Sequence, residues 1–398
     1  MLPAIPTKYF IALIGLTIST FVFNTSEFMP IALLIDISSS FSMTPSETGI
    51  MITVYAWMVA LLSLPLMLLA SRMNLKRLFL LTIGIFAAGQ FLAGIATSFP
   101  MLMGARIVVA CAHSIFWAIV APIGTMLVTR AHKPFALGII ASGSSIAMIL
   151  GLPIGRVIGL ATGWRMTFLL IAGIAVLLLV FLAIVLPSLG SSASISVREL
   201  PGLIRQPPVF LTYLITVLFA TGYYTTYSYI EPFLKTVAAF SADGITDTLI
   251  FFGCCGLLGS ALFSHLYDRH RKGVLTGGLI AMLAALSTWY FDAQSAVLIL
   301  AACVLMGITA TLFNVALQAE LMRLVPAGAT TIVMAIFSGI FNLGIGSGSF
   351  IGGRVSSAGL LSCVGFAGAA LVVLALFVLL KFYFPHICTQ KNFVKNHK

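Results

Sequence analysis

The sequence predicts an all-α membrane protein with twelve transmembrane helices arranged as two six-helix halves. Three observations carry that prediction: too few charges for a water-facing surface, basic residues confined to alternate connections, and motifs of the first half that recur in the second. Of 398 residues, 60% are hydrophobic and only 8% are charged. A soluble chain carries roughly a quarter charged residues because water must wet its surface. Lipid is the alternative solvent, and a helix that spans it takes about 20 apolar residues, so this chain has material for about twelve.

Apolar runs interrupted by charge, Gly/Pro or Ser clusters place the spans near 9–35, 49–70, 78–97, 101–127, 135–158, 166–186, 209–233, 245–267, 274–291, 297–321, 332–353 and 360–384. The first follows Lys8, as a secretory signal would follow a basic residue. It is too long for the apolar segment of a signal, lacks a small-x-small cleavage site and contains Glu27, so it reads as a retained helix.

Sixteen of the 21 Lys and Arg residues lie in alternate connections and the tails. They are Lys8; Arg72, Lys76 and Arg77; Arg130 and Lys133; Arg198 and Arg205; Arg269, Arg271 and Lys272; Arg323; and Lys381, Lys391, Lys395 and Lys398. Cytoplasmic loops carry such an excess, which puts both termini in the cytoplasm. The net charge of +11 is therefore a topology signal and implies no nucleic acid. The six cysteines form no CxxC pair and mostly lie in apolar runs, so they read as packing residues with no disulfide framework or metal site.

The Pro-, Ser- and Gly-rich stretch around 188–208 reads as a cytoplasmic linker between halves spanning 1–187 and 209–384, with 385–398 as a tail. The halves echo one another. Ser71–Arg77 (SRMNLKR) and Ser264–Lys272 (SHLYDRHRK) are basic turns after equivalent helices, and Gly155-Arg156-Val157 matches Gly353-Arg354-Val355. Repeats of this kind mark secondary transporters, with the substrate site expected near the membrane midplane. The Gly-rich runs lie within apolar helices and permit close helix approach. No GxxxxGK[ST] occurs, so direct ATP drive lacks a motif and no cofactor is expected.

An ionisable side chain in a spanning helix is costly, so it marks a pathway or coupling site. Glu27 lies about 12 Å from the outer end of the first helix and Arg106 about 8 Å below the outer end of the fourth. Their similar depth predicts an interaction, direct or through water. His113 and Trp117 follow Arg106 within about 20° of one helical face. Asn24 sits one turn from Glu27. Tyr224, Tyr227 and Glu231 share a face of the seventh helix, Asn314 and Gln318 of the tenth, and Ser338 and Asn342 of the eleventh. Glu231 falls near the outer interface. Taken singly, each of the neutral groups also serves as interhelical glue.

Six stretches together resemble a known family: FNTSEFMPIALL (Phe23–Leu34), YAWMVALLSLP (Tyr55–Pro65), AHSIFWAI (Ala112–Ile119), LGLPIGRVIG with GWRMTF (Leu150–Phe168), YSYIEPF (Tyr227–Phe233) and FSGIFNLGIGSG (Phe337–Gly348). The chain is similar to major facilitator superfamily transporters of the drug:proton antiporter branch, and within it to bacterial sugar efflux transporters. The resemblance implies a twelve-helix monomer in the bacterial inner membrane, alternating access, and proton antiport of sugars or related molecules. It also implies that Glu27 and Arg106 belong to the coupling machinery. The family's basic turn after the second helix has a Gly and an Asp before the basic pair, and SRMNLKR lacks both. The later copy keeps Asp268, Arg269, Arg271 and Lys272. Arg72, Lys76, Arg77, Asp268, Arg269 and Arg271 are the expected gating residues, with weaker charge pairing on the first half.

Burial favours a protonated carboxyl and a nearby cation an ionised one, so Glu27 is expected to load and release a proton as water access or the Arg106 distance changes. His113 titrates near neutral pH and is either a second proton site or a substrate partner. Asn24, His113, Asn314, Gln318 and Asn342 suit sugar hydroxyls, with Trp117 or Tyr227 stacking on a pyranose face. Rival readings are a multidrug exporter of the same fold, which 30 Phe and 16 Met leave open without choosing it because most of them must face lipid or pack helices, and a proton symporter. An intramembrane enzyme would need a nucleophile–base pair or metal cluster, and the lone His113 argues against one.

Overall fold

The computed structural model describes residues 6–70, 73–129, 132–189, 202, 204–292, 295–325 and 330–387. Arg72, Arg130, Arg198, Cys388, Lys391, Lys395, Lys398 and most of the 188–208 stretch lie outside the described residues, as does the side chain of Asp268. All regular structure among the described residues is helical: α1 (Thr7–Ala32), α2 (Leu34–Ser40), α3 (Pro45–Ala70), α4 (Leu75–Gly94), α5 (Phe99–Met126), α6 (Lys133–Thr162), α7 (Trp164–Val185), α8 (Pro207–Tyr227), α9 (Ile230–Thr236), α10 (Ala242–Asp292), α11 (Ala296–Leu324), α12 (Thr330–Ser357) and α13 (Val364–Val378). Eleven described stretches are long and apolar enough to cross a membrane. The 30-residue α6 contributes two shorter apolar stretches, Phe135–Ser144 and Leu150–Thr162.

The expected spans fall on these helices, with four differences. The first breaks at Leu33 (φ −120°, ψ 16°), and the seventh breaks at Ser228–Tyr229, where Tyr229 has φ −115° and ψ 20°. Pro232 explains the second break: it lacks the N–H that would bond to the Ser228 carbonyl four residues earlier, and its ring crowds that carbonyl. Pro30 removes the donor of the Ser26 carbonyl in the same way, inside α1 and ahead of the Leu33 break. The eighth and ninth spans are joined in α10, where His270 (φ −128°, ψ 39°) alone is non-helical between Ala242–Tyr267 and Arg269–Phe291. The last span continues to Ile387, beyond the expected end at 384.

The chain forms two compact units, Met1–Ser194 with Ala242–Ile250, and Ile195–Ser241 with Phe251–Lys398. In the first, α1 packs chiefly against α6 and also against α7. In the second, α8 packs chiefly against α12 and also against α13. The pairing is the same because small residues recur every four positions. A side chain added at Gly143 would meet the Thr17 backbone, at Gly151 Thr25, at Gly155 Met29, and at Gly159 Leu33, the residue at the α1 break. Gly344, Gly348 and Gly352 seat Ala220, Thr221 and Thr225 in the same way, and Gly352 also lies under Tyr229 at the α8 break. Gly222 and Gly368 face one another where α8 crosses α13. Close backbone approach of this kind is how small residues let helices associate in lipid, where no hydrophobic force favours contact.

These contacts predict position-dependent glycine tolerance. A Cβ at Gly348 would lie 2.5 Å from the Thr221 carbonyl oxygen and 2.8 Å from the Thr225 nitrogen, whereas at Gly173 nothing lies within 4 Å. Gly348→Ala should destabilise the second unit by about 1–3 kcal/mol, read as a lower melting temperature of the detergent-solubilised protein. Gly173→Ala should leave melting unchanged or raise it, through helix propensity.

Candidate functional site

In the first unit, the Pro30 break organises the polar interior. Ser26 is four residues before Pro30, so its carbonyl has no helical donor. Arg106 of α5 supplies one, with Nη1 donating to Ser26 O at 3.1 Å. The Arg106 guanidinium lies 4.0 Å from the centre of the Tyr55 ring, and both residues are buried. One helix over, Arg156 of α6 donates from Nη1 to the Ala32 carbonyl at 2.7 Å, just before the break. Gln90 of α4 donates to the Ser26 hydroxyl.

Glu27 is 8% exposed, and its ion-pair partner is His113 of α5, with Nε2 3.2 Å from Oε2. No ion pair joins Glu27 to Arg106 among the described residues. The two attract through the field alone, because the guanidinium is engaged by the Ser26 carbonyl and the Tyr55 ring. In this structure the direct partner of Glu27 is His113, with Arg106 close enough to act on the carboxylate through its charge. Trp117, one turn along α5, donates from Nε1 to the same His113 Nε2 at 2.6 Å. His113 is fully buried, whereas Trp117 is half-buried. Asn24 donates from Nδ2 to the Ser144 hydroxyl of α6 at 2.7 Å. Beneath them Phe23 stacks between Phe86 and Phe116, with ring centres 3.9 Å apart on each side. The structure therefore brings Asn24, Glu27, His113 and Trp117 into one neighbourhood, with Arg106 beside it.

In the second unit, Tyr227 stacks on Tyr223 (5.1 Å) and Phe252 (5.2 Å), with Tyr224 edge-on at 5.7 Å. All three tyrosines are buried. The α8 break means that Glu231 does not continue the Tyr224–Tyr227 face. It lies in the first turn of α9 and is 1% exposed, buried rather than solvated. Gln318 donates from Nε2 to Asn314 Oδ1 at 2.5 Å, and both are half-buried on α11. Asn342 donates from Nδ2 to the Ser338 carbonyl at 3.0 Å on α12, leaving Oδ1 without a partner among the described residues.

The basic turns differ between units. Asn74 caps α4 by accepting from the backbone of Lys76 and Arg77, and Lys76 Nζ donates to the Leu186 carbonyl after α7 at 2.5 Å. Arg77 is exposed, as is Arg269. Arg271 instead makes a two-point ion pair with Glu320 of α11, which also accepts from the Tyr267 and Tyr383 hydroxyls. Glu320 is fully buried. Among the described residues, Lys76 of the first turn is held by a neutral acceptor, whereas Arg271 of the second is held by charge, with Glu320 as the counter-charge.

The sequence profile described as Major Facilitator Superfamily matches residues 16–349, most of the chain. The chain belongs to the major facilitator superfamily. Among solved structures, this facilitator resembles a bacterial homologue of the human lysosomal transporter Spinster in an inward-facing, unoccupied conformation, with TM-score 0.73 and 17% identity over 96% of this chain and 97% of that one. The occupied inward-facing form of that homologue gives TM-score 0.72 and 18% identity over the same shares. The human organic anion transporter MFSD10 (TETRAN) gives 0.66 and 14% identity over 94% of this chain and 100% of that one. At these identities the structures speak to the fold. This facilitator is a multi-pass membrane transporter and not an enzyme.

Sequence reasoning missed Glu320, although the rule that singled out Glu27, an ionisable residue inside an apolar span, applied equally to it. Tyr55, Gln90, Ser144, Tyr223, Tyr267 and Tyr383 carried no such signal, because only packing brings their partners near. Glu320→Ala should destabilise the protein by about 3–5 kcal/mol by leaving the Arg271 guanidinium without its partner. Arg269→Ala at an exposed position should change stability by less than about 0.5 kcal/mol. Paired melting curves in detergent compare the two, and equal curves would show that the Glu320 cluster holds nothing together.

Proposed function

We propose that this facilitator exports sugars or sugar-like small molecules in exchange for protons by alternating access. The observation that carries the reading is the buried Glu27–His113 pair, 3.2 Å apart inside an apolar bundle. A carboxylate and an imidazole so placed are costly unless their protonation changes during the cycle. Arg106 lies beside the pair and holds the Ser26 carbonyl. Neutral hydrogen-bonding groups fit the many hydroxyls of a sugar: Asn24 and His113 in the first unit, and Asn314, Gln318 and Asn342 in the second. Trp117 and Tyr227 offer faces for a pyranose, and Glu231 a further acceptor.

The resemblance of FNTSEFMPIALL, AHSIFWAI and YSYIEPF to sugar efflux transporters supports the substrate class. We read the halves as 1–187 and 209–384 joined by a cytoplasmic linker at 188–208, with Arg72, Lys76, Arg77, Asp268, Arg269 and Arg271 acting at the inner gate. The chain acts as a monomer in a bacterial inner membrane with both termini cytoplasmic, as its Lys/Arg distribution supports. Part of its aromatic content is packed into buried clusters around Phe23 and Tyr223, so the aromatic count by itself does not argue for the multidrug reading.

Inverted membrane vesicles with an imposed pH gradient test the proposal. Arabinose, lactose or a thiogalactoside should accumulate with wild type. Glu27→Gln should abolish gradient-driven accumulation and still bind substrate. Gradient-driven sugar uptake retained by Glu27→Gln would remove Glu27 from coupling, and accumulation of ethidium in place of sugars would assign a multidrug exporter.

A further inference from the structure

Two groups compete for a single atom in the first unit. His113 Nε2 receives the Trp117 indole N–H at 2.6 Å and faces Glu27 Oε2 at 3.2 Å. An indole nitrogen only donates, and an ionised carboxylate only accepts. The ring nitrogen has one in-plane position, either a lone pair for Trp117 or a proton for Glu27. Both contacts cannot be hydrogen bonds at once. The other ring nitrogen, Nδ1, is buried with no hydrogen-bond partner among the described residues.

We propose that Trp117 reads out the protonation state of the Glu27–His113 pair and offers its indole N–H to a substrate oxygen only when the pair has lost its proton. The inference rests on the proton-coupling reading above. In the loaded state Glu27 is a neutral acid, His113 carries its proton on Nδ1, and the bare Nε2 accepts from Trp117. The shorter of the two contacts belongs to Trp117, which matches this state. Unloading transfers the proton from the Glu27 carboxyl to Nε2, breaking the Trp117 hydrogen bond and forming Nε2–H···Glu27. The imidazolium then releases its Nδ1 proton to water admitted in the conformation that opens onto this site, since Nδ1 is sealed in the conformation described. The final state has an ionised Glu27 bonded to neutral His113, one proton fewer than the start, and a Trp117 N–H without its acceptor. The alternative unloaded state, with Trp117 still held, leaves a buried carboxylate without a donor and is disfavoured.

Trp117 is the least buried member of the trio, and its released N–H is the group assigned to the substrate. Substrate and proton then compete through one hydrogen bond, which is what exchange requires. The other groups around His113 leave this arithmetic intact. From α3 the Tyr55 ring lies edge-on at 5.7 Å, and Arg106 on α5 is held by the Ser26 carbonyl and the Tyr55 ring. On α4 the neutral Gln90 bonds Ser26, and on α6 the neutral Ser144 bonds Asn24 while Arg156 bonds the Ala32 carbonyl.

The test is the indole ¹⁵N–¹H resonance of Trp117 in the full-length protein, assigned by its loss in Trp117→Phe and followed from about pH 5 to 9, the range in which a histidine titrates. The wild type should show a hydrogen-bonded position at low pH that shifts upfield as the pair unloads. Glu27→Gln should abolish the shift, and His113→Phe should fix the resonance upfield at every pH. A wild-type resonance that stays at one position overturns the proposal. Proton-driven exchange measured on the same protein then separates the failures: exchange with a static indole removes only Trp117, whereas no exchange removes the proton-coupling reading as well. Where a thiogalactoside binds, its affinity should change by up to tenfold per pH unit in wild type and less in Trp117→Phe.

Discussion

In a lipid-embedded helix every carbonyl without a donor and every charge without a partner costs several kcal/mol, and the interior of the first unit follows from meeting that demand at the Pro30 break. Pro30 orphans the Ser26 carbonyl, and the deeply buried Arg106 answers it. Arg156 answers the Ala32 carbonyl at the end of the same helix. Two arginines that would be prohibitively expensive alone are thus parts of the main-chain hydrogen-bond system. With Arg106 occupied in this way, Glu27 is left to His113.

The second unit repeats the scaffold without repeating the chemistry. Pro232 follows the break in the first helix of that unit, as Pro30 precedes the other, and glycines of the partner helix lie under both breaks. Arg354, the counterpart of Arg156, is exposed and lies beside the Phe350 ring. Charge in this unit is gathered instead on Glu320, beside the basic turn that follows Tyr267. One unit therefore keeps its titratable pair within the apolar bundle, while the other fastens a helix end with a two-point ion pair and two hydroxyls. A duplicated fold with divergent polar residues suits a transporter, in which the same packing serves both units while their polar groups differ.

The chemistry available at Glu27, His113 and Trp117 depends on a shared acceptor more than on any single residue. Trp117 adds a donor that competes with Glu27 for the same His113 nitrogen. An aromatic residue one helical turn from a histidine commonly just packs against it; the 2.6 Å contact to Nε2 gives it a different standing.

The sequence by itself determined the fold class and most of the helix plan. Solvation by lipid leaves a compositional mark, and spans, basic turns and paired Gly-Arg motifs are local features that need no partner to be read. It also located Glu27, His113 and Trp117 as candidates, because a titratable group in an apolar run is conspicuous and residues four apart share a helical face. Tertiary structure alone decided who pairs with whom. Depth placed Arg106 level with Glu27, yet which of Arg106 and His113 meets the carboxylate depends on side-chain direction and on the carbonyl freed by Pro30. Glu231 is buried by packing that the sequence does not reveal. Lys76 and Arg271 occupy equivalent turns, but their acceptors come from helices more than 40 residues away in sequence. Composition and periodicity act within a turn or two of helix; hydrogen-bond partnership is settled where helices cross.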